Sequence, residues 1–299
     1  MSSSPRDLYA KCRAYSDADI ARAQGFYPYF RCIEETHGNY VTCEGQPKLM
    51  IGSNNYLGLA QDPRVVEAAC NAVRKYGAGC TGSRLLNGTF KLHEELEEAL
   101  KVFLDQEDVV LFSTGFFANQ GALSALTEEG DVILCDRENH ASIIDGCQMS
   151  PAKMVPFRHN SEESLRNRLN RISPEAGRLI VVDGVFSMSG DIAILPSIIE
   201  AAKEFQARTY VDEAHSLGVM GPGGRGVAHH YGLHKEVDVI MGTFSKSLGS
   251  MGGFIAGARP MVEYLRHKAR CFIFTASLAP AVAGGVLKAL EIMQQEPER

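Results

Sequence analysis

Seven short apolar runs, separated by stretches long enough for helices, constrain the fold of this chain most. They cover residues 109–112, 132–135, 154–157, 179–182, 209–211, 237–241 and 254–256. None shows strict apolar–polar alternation, which is expected of strands covered on both faces. Residues 161–172 and 196–206 between them read as helical. The pattern predicts an open, mostly parallel, seven-stranded α/β sheet with helices on both faces. Such sheets bind ligands at the carboxyl ends of their strands.

Ahead of these runs, residues 1–55 read as an N-terminal arm and 56–299 as a ligand-binding domain. The arm contains a basic, polar, helical stretch over 8–22. Asp62-Pro63 opens a helix, with an N-cap acid, a proline in the first turn and Gly77 after its end. Val65, Val66, Ala69, Val73 and Tyr76 are predicted to share its buried face. A second helix is predicted over 92–104. Leu92, Leu96, Ala99, Leu100 and Phe103 form its buried stripe, with the acids outside.

Composition excludes several functions. The net charge is −6, from 30 basic and 36 acidic residues, and there is no long basic run, so nucleic acid is not expected as a partner. The first seven residues have no apolar core and do not resemble a signal peptide. None of the eight cysteines has Cys-x-x-Cys spacing, so no zinc ribbon or redox pair is indicated. They read as small buried hydrophobes in a reducing, cytoplasmic compartment. Residues 271–287 carry no charge and approach the length of a membrane span, but Pro280, Gly284 and Gly285 interrupt them. A buried loop followed by a core helix is predicted, with no transmembrane segment.

The strand ends carry the chemistry. After the sixth run comes Gly242-Thr243-Phe244-Ser245-Lys246-Ser247-Leu248-Gly249. A lysine among hydroxyls at a strand mouth suits a phosphate, as in a P-loop, or a Schiff base with an aldehyde cofactor. P-loop spacing is absent, because no glycine directly precedes Lys246. After the first run, Ser113-Thr114-Gly115-Phe116 opens a helix whose free N–H groups suit an anion. After the second comes Asp136-Arg137-Glu138-Asn139-His140, and after the fourth Asp183-Gly184-Val185-Phe186-Ser187. His140 suits stacking on a ring or acid–base work. After the fifth comes Asp212-Glu213-Ala214-His215. A carboxylate ending an apolar strand needs a positive partner, and a protonated pyridine nitrogen is one. Without a P-loop, a magnesium role for Asp212 loses its support, and no metal site is expected. Phosphate cup, stacking histidine, pyridinium acid and lysine together specify pyridoxal 5′-phosphate.

These motifs resemble those of the α-oxoamine synthase family of fold-type-I pyridoxal-phosphate enzymes, from about Gly52 to the end of the chain. The resemblance rests on Gly82-Ser83-Arg84-Leu85-Leu86-Asn87-Gly88-Thr89-Phe90, Phe112-Ser113-Thr114-Gly115-Phe116, His140-Ala141-Ser142-Ile143-Ile144-Asp145-Gly146-Cys147, Asp212-Glu213-Ala214-His215, Thr243-Phe244-Ser245-Lys246 and Phe274-Thr275-Ala276-Ser277-Leu278-Ala279-Pro280. The Gly82–Thr89 stretch and Phe157-Arg158-His159-Asn160-Ser161 point more narrowly, to the soluble bacterial branch that condenses L-serine with palmitoyl-CoA.

The resemblance implies that Lys246 is the Schiff-base lysine and the base for the α-proton. It implies that His140 stacks on the ring and orients the substrate carboxylate, that Asp212 pairs with the ring nitrogen, and that His215 contacts the ring oxygen. Gly115, Phe116, Thr243 and Ser245 would hold the phosphate, and Ser187 would touch the ring. Thr275 and Ser277 would reach the phosphate of a neighbouring subunit, which implies a homodimer. Asn54 or Asn55 would contact the amino-acid carboxylate, and the motif does not settle which. The implied product is 3-oxosphinganine, with loss of CoA and CO2, at the first step of sphingolipid synthesis. Peripheral contact with a membrane surface stays open.

Family members continue into a small C-terminal domain with a carboxylate-clamping arginine, whereas this chain stops at Arg299. That domain is therefore expected to be largely missing or truncated here, with cofactor binding kept and turnover poor. Three sister branches share the chemistry: glycine C-acetyltransferase, 8-amino-7-oxononanoate synthase and 5-aminolevulinate synthase. A catalytically silent partner subunit is the non-enzyme alternative, and Lys246 argues against it.

Overall fold

A computed structural model of the chain describes residues 6–299. Two compact units emerge, Met1–Gly52 and Ser53–Arg299.

In the first unit, the predicted single helix is two short ones, α1 (Ala10–Ala14) and α2 (Asp17–Ala23), neither with a buried residue. Tyr15, at the C-cap of α1, is extended at ψ 116° and separates them. Three strands follow that the sequence reading did not contain, β1 (Glu35–His37), β2 (Tyr40–Cys43) and β3 (Gln46–Leu49). They form an antiparallel sheet in sequence order. Cys43 pairs with Gln46, which leaves Glu44-Gly45 as a two-residue turn with both φ angles positive. That is the turn geometry that matches strand twist.

The second unit holds the predicted seven-stranded sheet. Its strands are β4 (Asp108–Phe112), β5 (Val132–Asp136), β6 (Lys153–Phe157), β7 (Arg178–Asp183), β8 (Arg208–Asp212), β9 (Val239–Thr243) and β10 (Gly253–Gly257), in the order β4-β10-β9-β8-β7-β5-β6. Only β10 runs antiparallel to its neighbours. β9 lies two residues beyond its predicted start: Asp238 N donates to the Thr209 hydroxyl at 3.1 Å rather than to a ladder carbonyl. Pro156 sits in β6, an edge strand, where a missing N–H is tolerated.

The helices are α3 (Pro63–Tyr76), α4 (Lys91–Leu104), α5 (Gly115–Leu126), α6 (Ala141–Met149), α7 (Glu162–Leu169), α8 (Leu195–Glu204), α9 (Val227–His230), α10 (Arg259–Lys268), α11 (Arg270–Ile273) and α12 (Pro280–Gln295). One core cluster joins α3, α4, α8 and α12 to one face of the sheet, and a second joins α5, α6 and α10 to the other.

Asp62 caps α3 as expected, accepting from Arg64 N. The buried face of α3 is displaced from the predicted one. Val66 and Val73 are exposed, and the packed stripe is Val65, Ala68, Ala69 and Ala72, against which Gly284 and Gly285 of α12 close. Small residues set that contact by letting the two backbones approach. In α4 the stripe is buried as predicted, but Glu97 does not lie outside. It is 8% exposed and holds Arg84 through two hydrogen bonds of 2.9 and 3.1 Å. A buried acid is retained because it meets a cation in fork geometry.

The uncharged stretch 271–287 is a loop leading into α12, and no helix among the described residues is long and apolar enough to cross a membrane. Cys43, Cys80, Cys135 and Cys147 are buried, whereas Cys12, Cys32 and Cys70 are exposed; no described cysteine is paired.

Candidate active site

β4, β5, β7, β8 and β9 point the same way, so their carboxyl ends open on one edge of the sheet. There a cavity of about 290 Å³ is lined by Gly115, Phe116, Asn119, His140, Asp183, Asp212, His215, Thr243, Ser245 and Lys246, among others. Eight predicted cofactor or catalytic residues therefore share one space. They come from four separate segments of sequence, 115–116, 140, 212–215 and 243–246.

Asp212 ends β8, 3% exposed. Its two oxygens are fixed: Oδ2 accepts from Asn119 Nδ2 at 2.8 Å and Oδ1 from Ala214 N at 2.9 Å. Asp183, its partner across the β7–β8 ladder, accepts His140 N at 3.0 Å. Burial first, then the neighbouring Asp212 charge, raises the Asp183 carboxyl well above the usual carboxylate range. Glu213 does a different job from its neighbour. It accepts Val227 N and Ala228 N, each at 2.8 Å, and so ties down the start of α9.

His140 caps α6, and its Nδ1 lies 2.8 Å from Ser142 Oγ. Phe116 meets the His140 ring edge-on, with centroids 6.4 Å apart. His215 Nδ1 lies 2.7 Å from the Tyr56 hydroxyl, which leaves Nε2 as its other ring nitrogen. Burial, then the positive charges of Lys246 and His140, pulls His215 down to about 4, so it is neutral near pH 7. Burial lowers Lys246 too, against the pull of Asp212 and Asp183.

The anion end is built from Thr114, Gly115 and Thr243. Thr114 Oγ1 caps α5 by accepting Phe117 N at 3.0 Å. The first-turn N–H groups of Gly115 and Phe116 have no helical acceptor. Thr243 Oγ1 is buried with no hydrogen-bond partner. A buried hydroxyl without a partner costs about 1–3 kcal/mol unless a ligand satisfies it. An orphan hydroxyl, free helix N–H groups, a carboxylate and a lysine around one small cavity fit pyridoxal phosphate.

Three further expectations fall elsewhere. Ser187 lines an adjoining cavity of about 610 Å³ that shares Val185 and His215 with the first. Thr275 and Ser277 lie beside Arg84 and Ser113, and the Ser277 hydroxyl donates to Gly82 O at 3.2 Å. Neither lines the Lys246 cavity of its own chain. Asn55 Oδ1 accepts Ala60 N at 3.2 Å, and Asn54 Oδ1 accepts the Tyr56 hydroxyl at 3.3 Å. Only Asn54 is thereby linked to His215.

Sequence reading assigned no role to Asn119, Asp183, Ser142, Tyr210 or Tyr56. For Tyr210 a signal existed: it precedes Asp212 by two, so both share one face of β8. Tyr56 lies 159 positions from His215, and nothing local announces that contact.

A model of the aminotransferase class I and II family matches residues 46–299. The chain is 52% identical over 292 residues to a serine palmitoyltransferase of Bacteroides thetaiotaomicron, covering 98% of this chain and 74% of that one. It is 50% identical over 277 residues to a serine palmitoyltransferase of Sphingobacterium spiritivorum, covering 93% and 69%. Among solved structures, a variant serine palmitoyltransferase from S. paucimobilis, with a bound PLP–myriocin aldimine, aligns with a TM-score of 0.95. It is 40% identical and covers 98% of this chain and 74% of that one.

Proposed function

The chain belongs to the aminotransferase class I and II family, in its α-oxoamine synthase branch, and on that premise we propose that it joins L-serine to palmitoyl-CoA, giving 3-oxosphinganine, CoA and CO2. The observation that carries this reading is the single cavity in which Lys246, Asp212, His140 and the partnerless Thr243 hydroxyl meet. Relatives about half identical bear the name serine palmitoyltransferase, which supports L-serine and a long-chain thioester over the other substrates of the branch.

When bound, pyridoxal phosphate supplies an aldehyde carbon that captures amines and a pyridinium ring that takes up the electrons left by an α-proton. With the cofactor bound, Lys246 Nζ would hold its aldehyde carbon and, once free, would serve as the base for the α-proton of L-serine. Its lowered pKa keeps a share of the amine in the basic, neutral form that this work requires. Asp212, held rigid by Asn119 and Ala214, would keep a proton on the ring nitrogen. Neutral His215 offers Nε2 to the ring oxygen. His140 would stack on the ring and align the substrate carboxylate. Thr243, Ser245 and the N–H groups of Gly115 and Phe116 hold the phosphate. Ser187, from the adjoining cavity, would touch the ring, and Asn54 or Asn55 would contact the amino-acid carboxylate.

Thr275 and Ser277 lie outside the cavity of their own chain, which supports their acting on the phosphate of a second subunit in a homodimer. A cytoplasmic location belongs to the same proposal, supported by eight unpaired cysteines. Peripheral membrane contact to collect the acyl thioester is compatible with it.

The test is spectral and then kinetic. Pyridoxal phosphate is expected to give the protein a visible absorbance band. Borohydride should abolish it and leave the cofactor's mass on the Lys246 peptide. CoA release from palmitoyl-CoA should then require L-serine, with glycine and L-alanine much poorer. A protein that forms no band, or a band that survives in Lys246→Ala, overturns the reading.

A further inference from the structure

The Phe157-Arg158-His159-Asn160-Ser161 stretch takes no part in the site described above, yet it is bonded to the wall of that site. Just past the end of β6, the His159 ring lies between two carboxylates. Nδ1 is 3.0 Å from Asp136 Oδ1, at the end of β5, and Nε2 is 3.1 Å from Asp191 Oδ2. Glu138 stands 3.8 Å from the same Nε2. The ring also meets Phe186 edge-on, at 4.4 Å between centroids. Asn160 adopts φ +45° and donates its N–H to Asp136 Oδ2 at 2.9 Å. Its side chain donates to Ile192 O at 3.0 Å and accepts Ile194 N at 3.2 Å.

These contacts converge on one segment, residues 184–194. Gly184 N is anchored to Asp212 O at 2.8 Å, and Phe186 N bonds Asp191 O at 2.9 Å. Val185, Phe186, Ser187 and Gly190 of this segment line the 610 Å³ cavity beside Lys246. Within the segment, Val185 and Ile192 form an isolated β-bridge and Ala193 N bonds Gly184 O at 2.9 Å, and side chains from the end of β5 and the loop after β6 tie this small loop to the sheet.

We propose that His159 and Asn160 are positioning residues, with His159 as a charged imidazolium bridging Asp136 and Asp191, that clamp the 184–194 wall and set how the acyl thioester seats in the larger cavity. This rests on reading the Lys246 cavity as the site of the condensation. The charge follows from geometry. A neutral imidazole has one N–H, whereas both ring nitrogens face carboxylate oxygens, so both must donate. The charged groups facing the ring are Asp136, Glu138 and Asp191. Burial opposes the imidazolium, but the hydrogen bonds to Asp136 and Asp191 outweigh it and hold His159 above its usual value. The clamp is therefore complete at low pH and lost as pH rises through that raised value, above about 6.5.

The experiment compares the cofactor-loaded wild type with His159→Ala and with Asn160→Gly, which keeps the positive φ unstrained. Hydrogen exchange of the 184–194 amides and steady-state kinetics are read together. Each variant is expected to speed exchange of that segment about 10-fold or more, the scale of a lost hydrogen bond to a charged group for His159→Ala and of two lost bonds to the 184–194 backbone for Asn160→Gly. Exchange in α5 and the cofactor's absorbance should not change. The KM for palmitoyl-CoA should rise several-fold while kcat stays within about 2-fold. Corrected for intrinsic rates, wild-type exchange of the segment should rise as pH is raised above about 6.5, and His159→Ala should remove that dependence. Unchanged exchange in both variants overturns the clamp. So does loosening that spreads equally to α5, or a fall in kcat at constant KM. A wild type that binds cofactor but never turns over counts against the condensation instead, and the exchange measurements still decide the clamp.

Discussion

Asn119 donates its side-chain amide to Asp212 Oδ2 at 2.8 Å, and the two are 0% and 3% exposed. The same amide reaches Ser142 Oγ at 2.8 Å, and Asn119 Oδ1 accepts the Tyr210 hydroxyl at 2.7 Å. One residue of α5 thus fixes the acid at the end of β8, the hydroxyl beside His140 and a fully buried phenol.

Asn119→Ala should accordingly be costly. It strands the Tyr210 hydroxyl and one Asp212 oxygen in a buried setting, at about 1–3 kcal/mol each. A loss of about 3 kcal/mol is expected in urea unfolding of the apoprotein, with weaker cofactor binding in an absorbance titration. A loss below about 0.5 kcal/mol would show that Asp212 does not depend on this amide.

The sheet was legible from the seven runs because β-rich apolar segments between helices admit few arrangements, and the antiparallel turn of β10 changes none of its site-facing ends. Lys246, Asp212, His140 and His215 were legible because each follows a strand directly, so local sequence places it at the carboxyl edge. Asn119 lies five residues inside its helix, where a polar residue looks like a solvated one. Its burial depends on Asp212, 93 positions away. Glu97 was misjudged for the same reason, since Arg84 arrives from a loop. β1–β3 escaped because β1 and β3 are short and polar, so β2, a four-residue run of strand formers, stood without visible partners.

The depressed histidines give a pH signature. His215 is held down to about 4 by burial first, and an unfolded histidine titrates near 6.5. Between those values the unfolded chain binds more protons, so apoprotein stability rises with pH and falls as the solution is acidified. His229 is also held at about 4, mainly by burial, with His234 stacked 4.1 Å away. On acidification from about pH 6.5 to about 4, His215→Gln should lose about 2 kcal/mol less stability than wild type, and His229→Gln should behave alike. Parallel stability curves for all three proteins would refute the assignment.

The Arg84–Glu97 pair lends itself to a double-mutant cycle. The two side chains are 9% and 10% exposed, and Glu97 Oε1 also accepts Leu111 N at 3.3 Å, so the pair secures α4 to β4. Glu97→Leu alone should cost about 3–5 kcal/mol, because it leaves the Arg84 guanidinium without its carboxylate, and Arg84→Met should cost less, because Arg266 Nη2 stands 3.7 Å from Glu97 Oε2. Together they should cost far less than the sum, by denaturant titration. Additive losses would mean that the two charges do not share one desolvated contact.

Gly253 offers the sharpest test of the phosphate end. It starts β10, opposite Phe112 on β4 and Thr243 on β9. A Cβ there would lie 2.7 Å from Gly115 Cα, 3.1 Å from Gly115 N and 2.9 Å from Gly242 O. All three are backbone atoms, which cannot rotate aside. Gly253→Ala must push the first turn of α5 off the sheet, and that turn carries the Gly115 and Phe116 N–H groups. Overpacking of this kind costs about 1–3 kcal/mol, so the variant should still fold. Its affinity for pyridoxal phosphate should fall about 10-fold or more, because displaced donors no longer converge with Thr243 Oγ1. Gly285→Ala is the matched control. Its Cβ would meet nothing closer than 3.7 Å, and it lies inside α12, where alanine is favoured over glycine by about 1 kcal/mol. That variant should gain stability and bind cofactor as wild type does. Equal cofactor affinity in the two variants would show that the α5 turn is not the phosphate cradle.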